Sequence, residues 1–380
     1  MKISGNWLVR PETQAVCGVL TQAGYRALFV GGCVRNALLG LAVADIDIAS
    51  DAVPEMVTDL AQKAGLRVIP TGFDHGTVTV VSGGIAHEIT TFRRDISTDG
   101  RRARVAFSTL IEEDAARRDL TMNALYATPS GQVLDPLGGL SDLLARRVRF
   151  VGDAEARIAE DTLRILRFFR FHAIYGDPEG GLDPEGLAAC AANSSGIETL
   201  SRERVGAEMR KLLAAADPAP AVAAMAGAGI LARVLPGASD RALAPLVHLE
   251  AGRAPHWRRR LAVLGGENLM ERLRLSRAEA TDLSRIRDEI GAKRPPAELG
   301  YRHGQDLAAD MVLARAAVLE TPPPPGWIAD IAQGAAAELP ISAADLLPAL
   351  QGPALGARLK ALEARWIASN FTLTRAELLA

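Results

Sequence analysis

Lysine, cysteine and aromatic residues are scarce in this chain of 380 residues. Five of its 43 basic residues are Lys, and the three cysteines, Cys17, Cys33 and Cys190, lie far apart in sequence. Because no C-x-x-C pair or Cys/His cluster occurs, neither a zinc site nor a disulfide framework is predicted, and a reducing cytoplasm fits this usage. The chain also lacks a charged-then-apolar N-terminal segment and an apolar run long enough to cross a membrane. We therefore predict a cytoplasmic protein with no zinc and no membrane partner.

Arginine supplies the other 38 basic residues. Guanidinium groups suit planar recognition of phosphates and base edges, although a GC-rich genome would produce the same excess of Arg. The net charge of −2 neither favours nor excludes a nucleic-acid partner. Since 48% of the residues are hydrophobic, the chain can bury a sizeable core, and its length allows two or three domains.

β-like and helical segments alternate up to about Leu134, whereas helical patterns dominate from Asp135 onward. Two β-like runs flank Ser82-Gly83-Gly84 and predict a hairpin. The sequence therefore predicts an α+β protein with an N-terminal head of residues 1–135, followed by all-helical parts of residues 136–215 and 216–380.

The most informative motif pairs Gly31-Gly32 with Asp45-Ile46-Asp47. On a strand, residues i and i+2 face the same side, so we expect Asp45 and Asp47 to project together. Such a pair suits Mg²⁺, which is held by one or two carboxylates plus substrate phosphates. The glycines let backbone N–H groups approach an anion closely. The motif predicts a triphosphate site beside a metal site, and the alternative is a solvated turn.

Glu88 lies on a second β-like run, Ile85–Thr91. If that run neighbours the Asp45/Asp47 strand, Glu88 becomes a third catalytic carboxylate, of the kind used in metal-assisted phosphoryl transfer. The alternative is an exposed polar residue on an edge strand. The basic residues 93–104 follow directly and predict a mobile loop beside the site, with an ordinary solvated surface as the alternative.

Two further motifs combine Arg with Asp. Arg117-Arg118-Asp119 offers guanidinium groups to a phosphate or a ribose edge, although Asp119 would also serve as a simple helix cap. Asp161 and Arg164 are three residues apart on a predicted helix, where a surface ion pair would be worth well under about 1 kcal/mol. As a base reader, the same pair would accept the amino group and ring acceptor of cytosine or adenine and reject guanine and uracil.

Together these motifs resemble, in order, the class II tRNA nucleotidyltransferase and bacterial poly(A) polymerase family. Further matching residues are Asp135, Gly139, Asp142-Leu143 and Glu203-Arg204, and the chain has Asn36 where the family pattern has Asp. The resemblance implies a polymerase-β-like nucleotidyltransferase head with a mixed β-sheet, followed by an all-helical neck, body and tail. It implies that the following residues form the site: Asp45 and Asp47 on Mg²⁺; Gly32 and Arg35 on the triphosphate; Arg117 and Asp119 along the nucleotide pocket; Asp161 and Arg164 on the base; and Arg167 as a further nucleotide-binding residue.

The function implied by the resemblance is addition of CCA to the 3′ end of tRNA from CTP and ATP, with release of pyrophosphate. Residues 1–135 would be catalytic, 136–215 would recognise the base, and 216–380 would bind tRNA. The alternatives are a poly(A) polymerase, an enzyme adding only CC or only A, and a non-catalytic RNA-binding protein. Residues 252–277 contain seven Arg, including Arg258, Arg259 and Arg260, and predict a contact with the tRNA backbone. The alternative is that these arginines pair with nearby acids.

Overall fold

A computed structural model of the protein describes residues 1–99, 102–347 and 349–380. The chain divides into two compact units, Met1–Val234 and Leu235–Ala380. The proposed boundaries near residues 135 and 215 stay predictions. Among the described residues, none of the helices combines the length and apolar character needed to cross a membrane.

The first unit contains a mixed sheet whose seven strands run in the order β3-β4-β5-β2-β1-β8-β9, and a separate pair, β6 and β7. Strand β2 is parallel to β5, and the other recorded neighbours are antiparallel. The strands are β1 (Leu28–Val30), β2 (Asp47–Ser50), β3 (Arg67–Gly72), β4 (Thr77–Ser82), β5 (Ile85–Thr91), β6 (Arg93–Asp99), β7 (Arg102–Phe107), β8 (Tyr126–Ala127) and β9 (Val133–Leu134). This mixed sheet and the helical remainder confirm the predicted α+β class.

Helices surround the sheet and make up the rest of the first unit. They are α1 (Asn6–Val9), α2 (Pro11–Gln22), α3 (Gly32–Leu38), α4 (Pro54–Lys63), α5 (Ile111–Ala116), α6 (Gly139–Leu144), α7 (Ala154–Glu160), α8 (Leu163–Tyr175), α9 (Pro184–Ala192), α10 (Arg202–Leu213), α11 (Ala219–Gly227) and α12 (Ile230–Val234). Three 3₁₀ helices, Phe73–His75, Thr121–Asn123 and Ser194–Thr199, join them.

Strands β4 and β5 form the predicted hairpin, and its turn consists of Gly83 and Gly84, both with positive φ. Strand β5 alternates in burial, so His87 and Ile89 point into the core while Glu88 is exposed. Asp47 pairs with Glu88 across the parallel β2–β5 ladder. The two strands are therefore neighbours, as the prediction for Glu88 required.

Two local predictions were wrong. Strand β2 begins at Asp47, so Asp45 precedes the strand instead of lying on it. The backbone still pairs one residue earlier, because the Glu88 N–H donates to the Ile46 carbonyl at 3.2 Å. The basic residues 93–104 are not simply a loop, since β6 and β7 pair as an antiparallel ribbon. Gly100 and Arg101 lie outside the described residues.

The apolar pattern around Asp161 suggested one continuous helix, but the structure has two. Helix α7 ends at Glu160, and Asp161 has extended φ and ψ of −154° and 102°. The carboxylate of Asp161 then accepts from the N–H of Leu163, in the first turn of α8. An Asp that bonds nearby backbone amides competes with continuation of a helix, which explains the break.

The second unit is helical in its described residues. Its helices are α13 (Leu243–Leu249), α14 (Trp257–Leu264), α15 (Leu269–Arg272), α16 (Arg277–Gly291), α17 (Pro296–Val318), α18 (Trp327–Ala336), α19 (Gly352–Ala368) and α20 (Arg375–Leu379), with a 3₁₀ turn at Ala343–Leu346. Helix α17 contains a break at Gly304, where φ is 75° and ψ is 174°.

Arg259 and Arg260 of α14 are buried in the second unit, which corrects the prediction that residues 258–260 contact tRNA together. Both guanidinium groups bind Glu250, and Arg259 also donates to Asp310 at 2.5 Å. His256 completes this group through Asp310, and we call the five residues the Glu250 cluster. Arg258 pairs with Asp282 at 2.8 Å and stays partly exposed. The alternative stated above, arginines paired with acids, is therefore correct for this triplet.

Candidate active site

Asp47 and Glu88 bring two carboxylates to one end of the parallel strand pair. Burial, together with the negative charges of Glu88 and Asp45, raises the pKa of Asp47 to about 6 against the opposing charge of Arg118. The influence of both acids on Asp47 indicates that the three carboxylates share one electrostatic environment. A cation bound there would relieve their repulsion.

The chemistry of these carboxylates fits a hard divalent cation held partly by its substrate. Within the described ranges, no group of three or more His, Cys, Asp or Glu residues is arranged as a metal site. Asp45 and Asp47 alone would leave most coordination positions to phosphate oxygens and water, which is how Mg²⁺ is commonly bound. Among the described residues, neither aspartate has a recorded hydrogen bond or ion pair through its carboxylate, so both remain available as ligands.

The glycine pair opens α3 directly after β1. Gly31 has a φ of 70°, a conformation that favours glycine, and its N–H donates to the Leu125 carbonyl. A Cβ on Gly31 would lie 3.6 Å from Nη1 of Arg118, and one on Gly32 would lie 3.7 Å from Nη2 of Arg35. Two guanidinium groups thus lie beside a helix start whose first N–H groups lack intrahelical acceptors. This arrangement can receive an anion.

Arg35 is buried beside this loop and is held firmly by its neighbours. Its guanidinium donates to Asn123 at 2.5 Å, to Tyr175 at 2.7 Å and twice to Asn36. The Tyr175 ring lies 4.1 Å from the guanidinium carbon. Four of the five N–H bonds of Arg35 are therefore used, which leaves one for a phosphate.

Arg117 and Arg118 share one acidic partner, but only Arg118 is also placed beside the glycine loop. Both bind the buried carboxylate of Asp114, and Tyr126 donates to the same carboxylate at 2.7 Å. Burial alone would raise the pKa of Asp114, but Arg118 and Arg117 outweigh it and hold that pKa below its ordinary value. Arg118 also lies next to Gly31, and its positive charge lowers the pKa of Asp47. Of the two arginines, Arg118 is therefore the one placed beside the carboxylate site.

Asp119 links the head residues to α8. Its Oδ2 accepts from Nε of Arg167 at 2.6 Å, and its Oδ1 accepts from Asn123 at 3.0 Å. Burial opposes ionisation of Asp119, yet the positive charge of Arg167 leaves its pKa below the ordinary value. The predicted residues Asp119 and Arg167 are thus brought into direct contact.

Asp161 and Arg164, predicted as a pair, each bind another partner instead. Asp161 accepts from Arg204 at 2.6 Å, whereas Arg164 donates to Glu160 at 2.5 Å and to the Arg117 carbonyl at 3.1 Å. Arg204 lies on α10, so its contact with Asp161 joins α10 to the break between α7 and α8. Asp161 is half-buried, and its two carboxylate oxygens accept from Leu163 and Arg204 respectively.

Three participants were absent from the predicted site: Asp114, Asn123 and Tyr175. Asn123 follows the Arg117-Arg118-Asp119 motif by four residues, so its place in the motif was a usable signal. Asp114 and Tyr175 belong to no motif that the sequence analysis used, and their part in the site is recognised only from their contacts with arginines.

A cavity of about 730 Å³ is lined by Thr121, Arg149 and the start of α7, and none of the predicted site residues lines it.

Two family models match the chain. The "Poly A polymerase head domain" matches residues 27–149, and the "Probable RNA and SrmB- binding site of polymerase A" matches residues 181–241. The first range contains the glycine loop, the three carboxylates and the Arg117-Arg118-Asp119 motif. The fold and the site therefore define the head of a polymerase-type nucleotidyltransferase.

Individual relatives point to one family. The crystal structure of the Bacillus stearothermophilus CCA-adding enzyme in complex with CTP is 31% identical, with a TM-score of 0.75, and covers 95% of this chain and 94% of that one. The human mitochondrial CCA tRNA nucleotidyltransferase 1 is 45% identical over 48% of this chain, and the CCA-adding enzyme of Geobacillus thermodenitrificans is 40% identical over 61%. The chain spans about half the length of these curated relatives, 42% and 57% respectively. The protein belongs to the class II family of CCA-adding enzymes and poly(A) polymerases.

Proposed function

We propose that this protein adds CCA to the 3′ end of tRNA, using CTP and ATP and releasing pyrophosphate. The observation that carries the proposal is the register of Asp47 with Glu88 in the same unit as the Gly31–Gly32 loop. Carboxylates beside an anion-binding helix start provide the parts that nucleotidyl transfer requires. The names of the human and Geobacillus relatives support tRNA as the acceptor.

In the proposed reaction, the 3′-hydroxyl of tRNA attacks the α-phosphate of the nucleotide, and pyrophosphate leaves. Asp45 and Asp47 would hold Mg²⁺, which supplies charge stabilisation for the attacking and leaving oxygens when it is bound. Gly31 and Gly32 contribute a backbone surface without side chains, on which the triphosphate lies close to the start of α3. Glu88 adds negative charge next to Asp47 and orients the incoming hydroxyl.

Base selection is proposed to depend on Asp161 and Arg164. The carboxylate of Asp161 can accept from an exocyclic amino group, and a guanidinium can donate to a ring acceptor. Cytosine and adenine both offer this combination. Asp161 binds Arg204 and Arg164 binds Glu160, so base recognition would require both side chains to share or exchange these partners. Arg117 and Asp119 would line the nucleotide pocket near the ribose and base, and Arg167, which binds Asp119, would be a further nucleotide-binding residue.

The acceptor RNA is proposed to lie along residues 216–380, and the second family model, which matches residues 181–241, supports only the beginning of this range. The location in the cell stays a prediction, because a relative with a mitochondrial name stands beside the bacterial ones.

A single assay tests the proposal. A tRNA that lacks its CCA end is incubated with CTP, ATP or both in the presence of Mg²⁺, and the added nucleotides are sequenced. We expect CC from CTP alone and CCA from both nucleotides. Asp47→Asn keeps the shape of the side chain and removes a metal ligand, so it should abolish incorporation while tRNA binding persists.

The other outcomes identify the rival functions. A long run of A on any RNA would indicate a poly(A) polymerase, and products ending at CC or receiving only A would indicate a partial enzyme. Binding of tRNA without any nucleotide incorporation would indicate a non-catalytic RNA-binding protein. Normal turnover of Asp47→Asn at saturating Mg²⁺ would reject the metal-binding assignment.

A further inference from the structure

Five polar side chains are linked in series by four hydrogen bonds in the first unit. The circuit runs from Arg167 through Asp119, Asn123 and Arg35 to Tyr175, and we call it the Arg35 circuit. Its links measure between 2.5 and 3.0 Å. Arg167 and Tyr175 both belong to α8, so the helix itself closes the circuit.

Phe171 lies on α8 between the two ends of the circuit and is in contact with both of its arginines. Its ring centroid is 5.1 Å from the guanidinium of Arg35 and 5.3 Å from that of Arg167. The spacing of four residues from Arg167 to Phe171 and from Phe171 to Tyr175 places all three on one face of the helix. A buried aromatic ring thus fixes the spacing of the two charged groups.

The Arg35 circuit joins the two parts of the site that would hold opposite ends of a nucleotide. Arg35 lies beside Gly32 at the start of α3, on the phosphate side. Helix α8 carries Arg164, on the base side. Two members of the circuit, Arg167 and Tyr175, lie on α8. Among the described residues, Tyr175 is the one of these two that hydrogen-bonds Arg35, through its hydroxyl.

We propose that Tyr175 is a positioning residue for nucleotide selection. By holding Arg35, it fixes the distance between the Gly31–Gly32 loop and α8, and therefore the distance between the bound phosphates and the side chains that contact the base. The proposal rests on the proposed nucleotidyl transfer and deepens it. Tyr175 touches neither the base nor the reacting phosphate in this scheme. Loss of its hydroxyl therefore changes which base fits, because α8 can shift relative to the bound phosphates.

The decisive variant is Tyr175→Phe. It keeps the ring over Arg35 and removes only the acceptor oxygen. Equilibrium dissociation constants for CTP, ATP, UTP and GTP with Mg²⁺ are measured for this variant and for the wild type, without tRNA. We expect the preference for CTP and ATP over UTP to fall by about tenfold, the effect of losing one charge-assisted hydrogen bond. Tyr25→Phe, a tyrosine of the same unit outside the circuit, is the matched control and should keep the wild-type ratio.

A second measurement separates positioning from support of the fold. If Tyr175 were only structural, Tyr175→Phe would lower the melting temperature and leave the ratios of the four dissociation constants unchanged, which would overturn the proposal. A wild-type protein that binds all four nucleotides equally would also overturn it. Asn123→Ser breaks the circuit on its other side and should relax the same ratios.

Failure of the proposed function has its own signature. If the wild type selects CTP and ATP but never extends a tRNA that lacks CCA, the acceptor assignment is wrong, while the dissociation constants still decide the role of Tyr175.

Discussion

Helix α8 in the first unit and helix α14 in the second unit carry three arginines each, and the two sets have different surroundings. On α8 the arginines are spaced by three residues and bind three separate carboxylates, those of Glu160, Asp119 and Glu208. On α14 they are consecutive, and the side chains of Arg259 and Arg260 are 4% and 1% exposed. Residues three apart share a helix face, whereas consecutive ones point about 100° apart.

The supply of carboxylates explains the rest of this difference. Glu250 and Asp310 lie on either side of α14 in sequence and meet inside the second unit, where they neutralise Arg259 and Arg260 completely. On α8 each arginine has an acid of its own, and the side chains of Arg164, Arg167 and Arg170 are 13%, 31% and 10% exposed. Consecutive arginines therefore do not by themselves predict an RNA contact, because acidic residues elsewhere in the chain can pair with them inside the protein.

The largest effect is expected in the Glu250 cluster. Glu250→Ala would leave Arg259 and Arg260 buried without their shared partner, which should cost about 3–5 kcal/mol of unfolding free energy. Urea unfolding followed by circular dichroism measures the change. Asp282→Asn, which removes the partner of the exposed Arg258, is the control and should cost under about 1 kcal/mol. Equal costs would show that the cluster is not effectively buried.

The second effect concerns Asp161, the carboxylate proposed to read the base in the first unit. Asp161→Ala should reduce discrimination against UTP and GTP by about 1–3 kcal/mol, the contribution of a bidentate base contact, with little change in unfolding free energy. The specificity constants kcat/KM for the four nucleotides measure the change. Glu198→Ala, which removes the exposed partner of Arg233, should leave those constants unaltered. Identical preferences in Asp161→Ala and the wild type would reduce Asp161 to a partner of Arg204.

The third effect corrects the prediction of an RNA contact on residues 252–277. Arg259 and Arg260 are buried, so we now expect any phosphate contact there to come from exposed residues such as Arg253 and Arg277. Replacing both by Gln should reduce the slope of log K against log salt by about one unit per lost contact. Filter binding of tRNA between low and high salt measures the slope. An unchanged slope would remove this segment from the RNA-binding surface.

The smallest effect is the pH-dependent part of the stability that Asp114 contributes to the first unit. Since the pKa of Asp114 is held below its ordinary value, ionised Asp114 stabilises the fold above the unfolded pKa of about 4. That contribution is lost as the pH falls through the lower, folded-state pKa. Asp114→Asn should lower the melting temperature at pH 7, and the difference from the wild type should shrink below pH 4. Asp59→Asn, at an exposed pair with Lys63, should show no such trend.

The sequence predicted the β4–β5 hairpin because period-two burial and the Gly83-Gly84 turn are local signals, whereas the pairing of β2 with β5 was only a condition of the prediction for Glu88. Local signals of this kind do not identify contacts between residues that are far apart in the sequence. Nothing near Asp161 indicated that its partner would be Arg204, 43 residues away, and nothing near Tyr175 pointed to Arg35. Arg117 and Arg118 have identical chemistry in sequence, and only the fold distinguishes the one beside Gly31. Long-range charge pairing, more than secondary structure, was the part that a single sequence did not reveal.

The carboxylate of Asp161 has two tasks that compete. It accepts from the backbone N–H of Leu163 at 3.1 Å, and it is also the proposed acceptor for the amino group of a base. A side chain that rotates towards a base releases that N–H, and an unbonded amide in the first turn of α8 exchanges its hydrogen with solvent more readily. The amide of Leu163 is thus a built-in reporter: its exchange rate records, without any label on the nucleotide, how often Asp161 is turned towards a base.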